Sequence, residues 1–126
     1  DIAPSAIDHI KDRVTTFPHN QILLDDFFQL EDQFDIIVEQ TFFCALDPSM
    51  RKSYAENTHR LLNPNGKLIG LLFDTEFGND HPPFGGHKEE YTRYFSPLFR
   101  FKHFEKSKNS IPPRMGRELF INFEKA

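Results

Sequence analysis

Hydrophobic and polar positions alternate along the chain in blocks that predict strands and helices in turn. Residues 34–39 (FDIIVE) form an apolar run with β-branched side chains, which predicts a strand buried on both faces. Apolar residues then recur at helical spacing up to about Leu62, and residues 67–73 (KLIGLLF) predict a second strand. The order strand, helix, strand is typical of an α/β fold.

The helix between these strands has clear start and stop signals. Asp47 is suited to the N-cap and Pro48 to the first helical position, because proline lacks the amide hydrogen that this position leaves unpaired. The sequence NPNG at residues 63–66 predicts a turn that stops the helix. The predicted core stripe consists of Met50, Tyr54, Ala55, Thr58, Leu61 and Leu62.

The remaining elements lie on either side of this unit. In chain order they are a strand end at residues 1–2, a helix from Pro4 to about Val14, a short strand at residues 21–25, a short helix at residues 87–95, and two strands at residues 99–108 and 118–124. The last two are expected to be antiparallel. The whole is therefore predicted to be an α/β sheet closed by an antiparallel strand pair.

Carboxylates follow each predicted parallel strand. They are Asp1, Asp25 with Asp26, Glu39 and Asp74. One such acid can simply cap the next helix, but four strand ends with acids are harder to explain that way. In open α/β sheets ligands bind beyond the carboxyl ends of the strands, so this edge is the expected binding site.

Several segments resemble one protein family. FDIIVEQTFFCAL, LLNPNGKLIGLLF and HPPFGG, in this order, are similar to the thiopurine, thiol and halide branch of the S-adenosylmethionine-dependent methyltransferases. The resemblance extends over nearly the whole chain. It implies a Rossmann-like class I methyltransferase sheet with helices on both faces, one domain over residues 1–126, and S-adenosyl-L-methionine as cofactor.

The resemblance assigns cofactor contacts to the first strand ends. In DIAPSAI, Asp1 would bind both ribose hydroxyls, since a carboxylate accepts two hydrogen bonds, and Ile2 would pack on the adenine. In LLDDFFQL, Asp26 would accept from the adenine amino group and Phe27 would offer a backbone contact, with Asp25 as the competing choice for the acid.

The segment IIVEQTFF resembles the part of the family that passes the methionine end of the cofactor. Glu39 stands where many relatives have Asp. Gln40 stands where the thiopurine branch has Arg and the thiol and halide branch usually has Tyr, so it follows neither. Both residues are expected to contact the cofactor, and Gln40 also the methyl acceptor.

The acceptor pocket is expected to have an aromatic wall. Phe42 and Phe43 follow the predicted strand, Phe84 and Pro83 lie in the HPPFGG loop that would close over the pocket, and Thr41 would add a polar contact. Consecutive residues point in different directions, so one of Phe42 and Phe43 is expected to pack in the core instead. Aromatic faces favour a cationic sulfonium and exclude water from the acceptor.

These features predict methyl transfer to a small soft nucleophile such as a thiol, hydrosulfide, halide or thiopurine sulfur, which needs no general base. Two alternatives stay open. An oxygen or nitrogen acceptor would want a positioned base, for which Glu39 is the candidate, and a non-catalytic remnant could bind cofactor or a protein without turnover. No catalytic side chain is assigned.

The resemblance starts at the family's second strand. The family's first strand and glycine-rich loop have no counterpart here, so we expect a missing N-terminal segment of the same domain. The net charge of −4 argues against a nucleic-acid partner, and no apolar run predicts a membrane span. The single cysteine, Cys44, fits a cytoplasmic protein, and the spacing of His81 and His87 matches no zinc motif, so no metal is expected.

Overall fold

The computed structural model describes all 126 residues, which divide into two compact units, Asp1–Asp32 and Gln33–Ala126. The first unit contains helix α1 (Pro4–Arg13) and two short 3-10 turns. The predicted helix is confirmed, and Pro4 stands at its beginning because its fixed φ angle suits a first helical position.

The strand predicted at residues 21–25 is wrong, because His19–Gln21 forms a 3-10 turn and residues 22–26 belong to no strand. Residues 1 and 23–25 are nevertheless paired through their backbones. The Asp1 amino group donates to the carbonyl of Leu23 (2.9 Å), and the Asp25 amide donates to the carbonyl of Asp1 (3.0 Å). Two such bonds follow the pattern of parallel strands, so Asp1 and Asp25 lie close together in the first unit.

The second unit is built on a four-stranded sheet with the order β1–β2–β4–β3. Its strands are β1 (Phe34–Glu39), β2 (Leu62–Phe73), β3 (Phe99–Lys106) and β4 (Glu118–Lys125). Strands β1 and β2 are parallel, whereas β4 is antiparallel to both β2 and β3. The predicted α/β sheet with an antiparallel strand pair is therefore confirmed.

Strand β1 lies at the edge of the sheet, and the prediction that both of its faces are buried is wrong. Glu39 is buried, but Ile36 and Val38 are 56% and 77% exposed. Side chains alternate between the two faces of a strand, and in β1 one of these faces is open.

Strand β2 begins at Leu62, five residues earlier than predicted. Leu62 pairs with Phe34 and Lys67 pairs with Ile36, so residues 63–66 form an irregular insertion in the ladder. Asn65 has a φ angle of 64°, a left-handed conformation that asparagine tolerates better than most residues. The predicted turn is thus present, but it interrupts a strand instead of preceding one.

Helix α2 (Arg51–Leu61) follows a 3-10 turn at Pro48–Met50. The Asp47 carboxylate accepts a hydrogen bond from the Ser49 amide (2.9 Å), which confirms the predicted cap. Within the predicted core stripe Met50 is wrong, since it is 37% exposed at the 3-10 turn. The other members are buried: Tyr54, Ala55, Thr58, Leu61 and Leu62.

Aromatic rings fill the core of the second unit. Phe95 of helix α3 (Lys88–Phe95) is fully buried, with ring centroids of Phe123 at 5.2 Å, Phe99 at 6.0 Å and Tyr54 at 6.2 Å. Offset and edge-on aromatic pairs at these spacings add to the free energy of burial. No helix in the structure combines the length and apolar character that crossing a membrane requires.

Candidate functional site

The loop that follows β1 is organised by a buried carboxylate. Glu39 is 3% exposed, and its oxygens accept hydrogen bonds from the amides of Phe42 (3.0 Å) and Phe43 (3.2 Å) and from the hydroxyl of Tyr54 (2.6 Å). A buried carboxylate is stable only when donors surround it, and here three protein groups do so. The Glu39 carboxylate therefore holds the loop in place from inside the protein.

Gly70 allows β2 to pass close to the end of β1. The two strands pair Glu39 with Gly70, and a Cβ atom at position 70 would overlap the carbonyl of Glu39. Only glycine fits this close backbone approach. Gly70 therefore lets β1 end against β2 at Glu39, where the chain leaves the sheet and enters the loop.

The residues after Glu39 turn outward. Thr41 has a φ angle of 58°, which is costly for a β-branched side chain, and its hydroxyl donates to the carbonyl of Gln40 (2.7 Å). Both Gln40 and Thr41 are exposed. Backbone strain of this kind persists only where the surroundings enforce it, and the bonds to Glu39 do so here.

Phe42 and Phe43 divide between surface and core. Phe42 is 40% exposed, whereas Phe43 is 1% exposed with ring centroids of Tyr54 at 5.0 Å and Tyr91 at 5.4 Å. The expected division of the pair is therefore seen. Phe42 is the member whose ring is open to a ligand.

The HPPFGG loop is joined directly to the loop after β1. The Phe84 amide donates to the carbonyl of Cys44 (2.8 Å), and the Gly86 amide donates to the carbonyl of Thr75 (3.0 Å). A Cβ atom on Gly85 would overlap the carbonyl of Thr75, so the loop also needs glycine there. Phe84 is half-buried, whereas Pro83, which follows a cis peptide bond, is exposed. The structure thus brings the two predicted acceptor segments together.

A groove of about 540 Å³ lies on the sheet beside Gln40. Its apolar lining includes Val38, Leu71 and Phe120, and its polar lining includes residues 105–109. The volume falls in the range of small-molecule sites. Gln40, predicted to contact both cofactor and acceptor, borders this groove.

The remaining predicted site residues lie in the first unit. The Asp1 carboxylate accepts from the Ala3 amide (2.8 Å), and the Asp26 carboxylate accepts from the Phe28 amide (2.9 Å). Both bonds use the Oδ1 atom, which orients each carboxylate. Ile2 is 72% exposed, and Phe27 is half-buried. The ligand contacts proposed for these residues stay predictions.

Two polar residues of the site were not predicted from the sequence. The helical pattern places Tyr54 in the core stripe and does not indicate its bond to Glu39. A buried tyrosine needs a partner for its hydroxyl, so an acid at the end of a neighbouring strand was the available signal. No pattern in the sequence marks Arg51, whose side chain is 1% exposed in the structure.

Cys44 is a structural thiol in this arrangement, and we expect Cys44→Ser to leave the protein folded. The side chain is 9% exposed, and burial, followed by the nearby charge of Glu39, raises the pKa of the thiol. Folding therefore favours the protonated form. This contribution to stability is complete below the pKa of the thiol in the unfolded chain and is lost as the pH rises from there through the raised pKa. Alkylation at pH 8 should be at least about tenfold slower in the native than in the urea-unfolded protein. Equal rates would contradict burial of the thiol.

Comparison with known proteins places these observations in a family. The family model described as thiopurine S-methyltransferase matches residues 3–125. The probable thiol methyltransferase 2 of Arabidopsis thaliana is 31% identical over 132 residues, covering 100% of this chain and 58% of that protein. Thiocyanate methyltransferase 1 of the same plant is 31% identical over 93 residues, which are 73% of this chain and 41% of that protein. The matched regions thus span 58% and 41% of the lengths of these two relatives.

Solved structures show the same fold at low sequence identity. A SAM-dependent methyltransferase from Methanosarcina mazei has a TM-score of 0.76 and 15% identity, covering 99% of this chain and 79% of that one. The N-methyltransferase NodS from Bradyrhizobium japonicum, in complex with S-adenosyl-L-homocysteine, has a TM-score of 0.74 and 17% identity, covering 99% and 64%. The fold is therefore the Rossmann-like α/β fold of these methyltransferases, and the match over residues 3–125 shows that the chain belongs to the thiopurine S-methyltransferase family.

Proposed function

We propose that the protein transfers the methyl group of S-adenosyl-L-methionine to a small soft nucleophile, namely a thiol, hydrosulfide, halide or thiopurine sulfur. Family membership supports the methyl transfer, and relatives named for thiol and thiocyanate support a sulfur acceptor. One observation favours a soft acceptor over an oxygen or nitrogen acceptor: Glu39, the only base suggested for the loop, is buried with three protein donors on its carboxylate.

The chain offers groups that suit the cofactor. Asp1 and Asp26 are exposed carboxylates, and in each of them the Oδ1 atom accepts from one backbone amide. The Oδ2 atom of Asp1 can therefore accept from the ribose hydroxyls, and that of Asp26 from the adenine amino group. Ile2, which is largely exposed, supplies an apolar surface for the ring, and Phe27 a backbone contact. When bound, S-adenosyl-L-methionine would supply a methyl group that its positive sulfonium sulfur makes electrophilic.

The protein's part in the reaction is to align the acceptor and exclude water. Phe42 and Phe84 present aromatic surface from two loops that a backbone hydrogen bond joins, and Pro83 adds an apolar rim. Gln40 and Thr41 are the exposed polar groups that can orient the acceptor. Phe43 supports this wall from the core. No protein base is needed, because the acceptor would bind as its anion, a thiol having already lost its proton to solvent.

Binding and turnover together test this function. Calorimetric titration of the protein with S-adenosylhomocysteine reports the cofactor site. Methyl transfer from S-adenosyl-L-methionine to hydrosulfide, iodide, thiophenol and a phenol reports the acceptor class. Transfer to the sulfur or halide acceptors but not to the phenol is expected. Binding without any transfer would contradict the proposed activity and favour a non-catalytic binding domain.

Phe84→Ala is expected to slow methyl transfer more than it weakens cofactor binding. The half-buried ring belongs to the acceptor wall, so its loss should lower kcat/KM for the acceptor at least about tenfold, equivalent to about 1.4 kcal/mol. The affinity for S-adenosylhomocysteine should stay within about twofold. Phe17→Ala, which removes a ring that is 43% exposed and has no assigned role in binding, is the control. Equal losses in transfer and in cofactor binding would contradict the assignment.

A further inference from the structure

Arg51 is a buried cation in the centre of the second unit. Its side chain is 1% exposed, and Nη1 lies 2.6 Å from Oε2 of Glu90. Its Nη2 donates to the carbonyl of Gly85 (2.8 Å) and, at the longer distance of 3.5 Å, to that of Phe84. One guanidinium group therefore connects α2, α3 and the HPPFGG loop.

The position of Arg51 is unfavourable for helix stability. Arg51 is the first residue of α2, where the positive end of the helix dipole repels a cation. Its Nε atom is also buried without a hydrogen-bond partner. Burying an ion pair is costly, and replacing both partners by well-packed apolar side chains is often at least as stabilising. Global stability therefore gives little reason for the pair of Arg51 and Glu90.

The contacts of Arg51 instead converge on the two acceptor loops. The guanidinium carbon lies 5.0 Å from the ring centre of Phe43 and 5.7 Å from that of Tyr91, within the range of cation–π interactions. Phe43 belongs to the loop after β1, and the carbonyls of Phe84 and Gly85 belong to the HPPFGG loop. Only a planar fork of donors can hold two carbonyls and a carboxylate while stacking on a ring, which lysine cannot do.

We propose that Arg51, oriented by Glu90, is a positioning residue that sets the place of Phe84 in the acceptor wall and thereby the size of acceptor that the site takes. The proposal rests on the proposed function for its consequence on acceptors. Its structural part, the placement of Phe84, does not depend on activity. Weakening the hydrogen bonds of Arg51 is expected to make the HPPFGG loop more mobile and to leave the cofactor contacts unchanged.

Amide hydrogen exchange tests the structural part without any turnover. In Arg51→Lys and Arg51→Met the Phe84 amide, which donates to Cys44, should exchange on the order of 100-fold faster than in the unsubstituted protein. Neither side chain can hold the carbonyls of Phe84 and Gly85 and the carboxylate of Glu90 together. Glu90→Gln should give a smaller increase, and it replaces the arginine variants if those fail to fold. Lys52→Met, at a side chain that is 78% exposed, should change nothing. Unchanged exchange at Phe84 in folded variants would overturn the proposal.

Acceptor kinetics test the consequence. Arg51→Lys should change the ratio of kcat/KM for thiophenol to that for hydrosulfide by roughly tenfold or more, because small displacements of a substrate wall have large effects on transfer. The Kd for S-adenosylhomocysteine should stay within about twofold. If the unsubstituted protein transfers no methyl group, the proposed function fails and the exchange experiment alone decides the role of Arg51. An unchanged acceptor ratio in an active Arg51→Lys protein would overturn the specificity role.

Discussion

Glu39→Ala is expected to lower the free energy of unfolding by about 3 kcal/mol or more, because it removes the acceptor shared by three hydrogen-bond donors, and each of these bonds contributes roughly 1–3 kcal/mol. These donors are the amides of Phe42 and Phe43 and the hydroxyl of Tyr54. Burial, then the charge of Glu39, raises the pKa of Tyr54 well above its usual range, so the phenol stays protonated and donates. Urea unfolding of the variant measures the loss.

Three further variants separate the structural role of the Glu39 carboxylate from a role as general base. Tyr54→Phe removes one hydrogen bond and should cost about 1 kcal/mol. Glu105→Ala removes an exposed carboxylate from β3 and should cost less than about 0.5 kcal/mol. Glu39→Gln keeps an acceptor oxygen and should retain the fold and measurable turnover. A stable Glu39→Gln protein with no turnover would restore Glu39 as a general base and contradict a purely positioning role.

The sequence predicted elements where local signals agree with one another. Residues 34–39 combine β-branched side chains with a short apolar run, and Asp47 with Pro48 marks a helix start, so both elements lie where expected. The sequence prediction was wrong where pairing with a distant strand determines the local structure. Residues 63–66 read as a turn, but pairing of Leu62 with Phe34 makes them an insertion in β2. Long-range pairing of this kind leaves no local pattern.

The same limit applies to the candidate site. The family motifs located both loops that we propose hold the acceptor, since the residues of each loop are close in sequence. The bond that joins the loops, from the Phe84 amide to the Cys44 carbonyl, is made by backbone atoms 40 residues apart and has no side-chain signature. The burial of Arg51 also leaves no sign in the sequence, but for another reason. An arginine early in a helix is normally a solvated surface residue, and only the fold shows that α3 and the HPPFGG loop cover it.

Asp1→Ala is expected to weaken binding of S-adenosylhomocysteine at least about 100-fold. The proposed role gives Asp1 two charge-assisted hydrogen bonds to the ribose hydroxyls, each contributing about 1.5–3 kcal/mol, whereas Asp26 would make one bond to the adenine amino group. Asp26→Ala should therefore weaken binding less, by roughly tenfold. Calorimetric titration of both variants measures the order of the two effects.

Asp1 also accepts a hydrogen bond from the Ala3 amide at the start of α1, so a loss of affinity could arise from a disturbed helix. Asp1→Asn separates these effects, because its amide oxygen can keep the bond to Ala3 while the charge on the ribose contacts is lost. If Asp1→Asn binds weakly while its free energy of unfolding is unchanged, the loss of affinity comes from the ligand contacts of Asp1 and not from a disturbed helix. Asp12→Ala, at an exposed carboxylate near the end of α1, should bind as the unsubstituted protein does. Unchanged affinity in Asp1→Ala would remove Asp1 from the site and leave Asp26 and its neighbours to hold the cofactor.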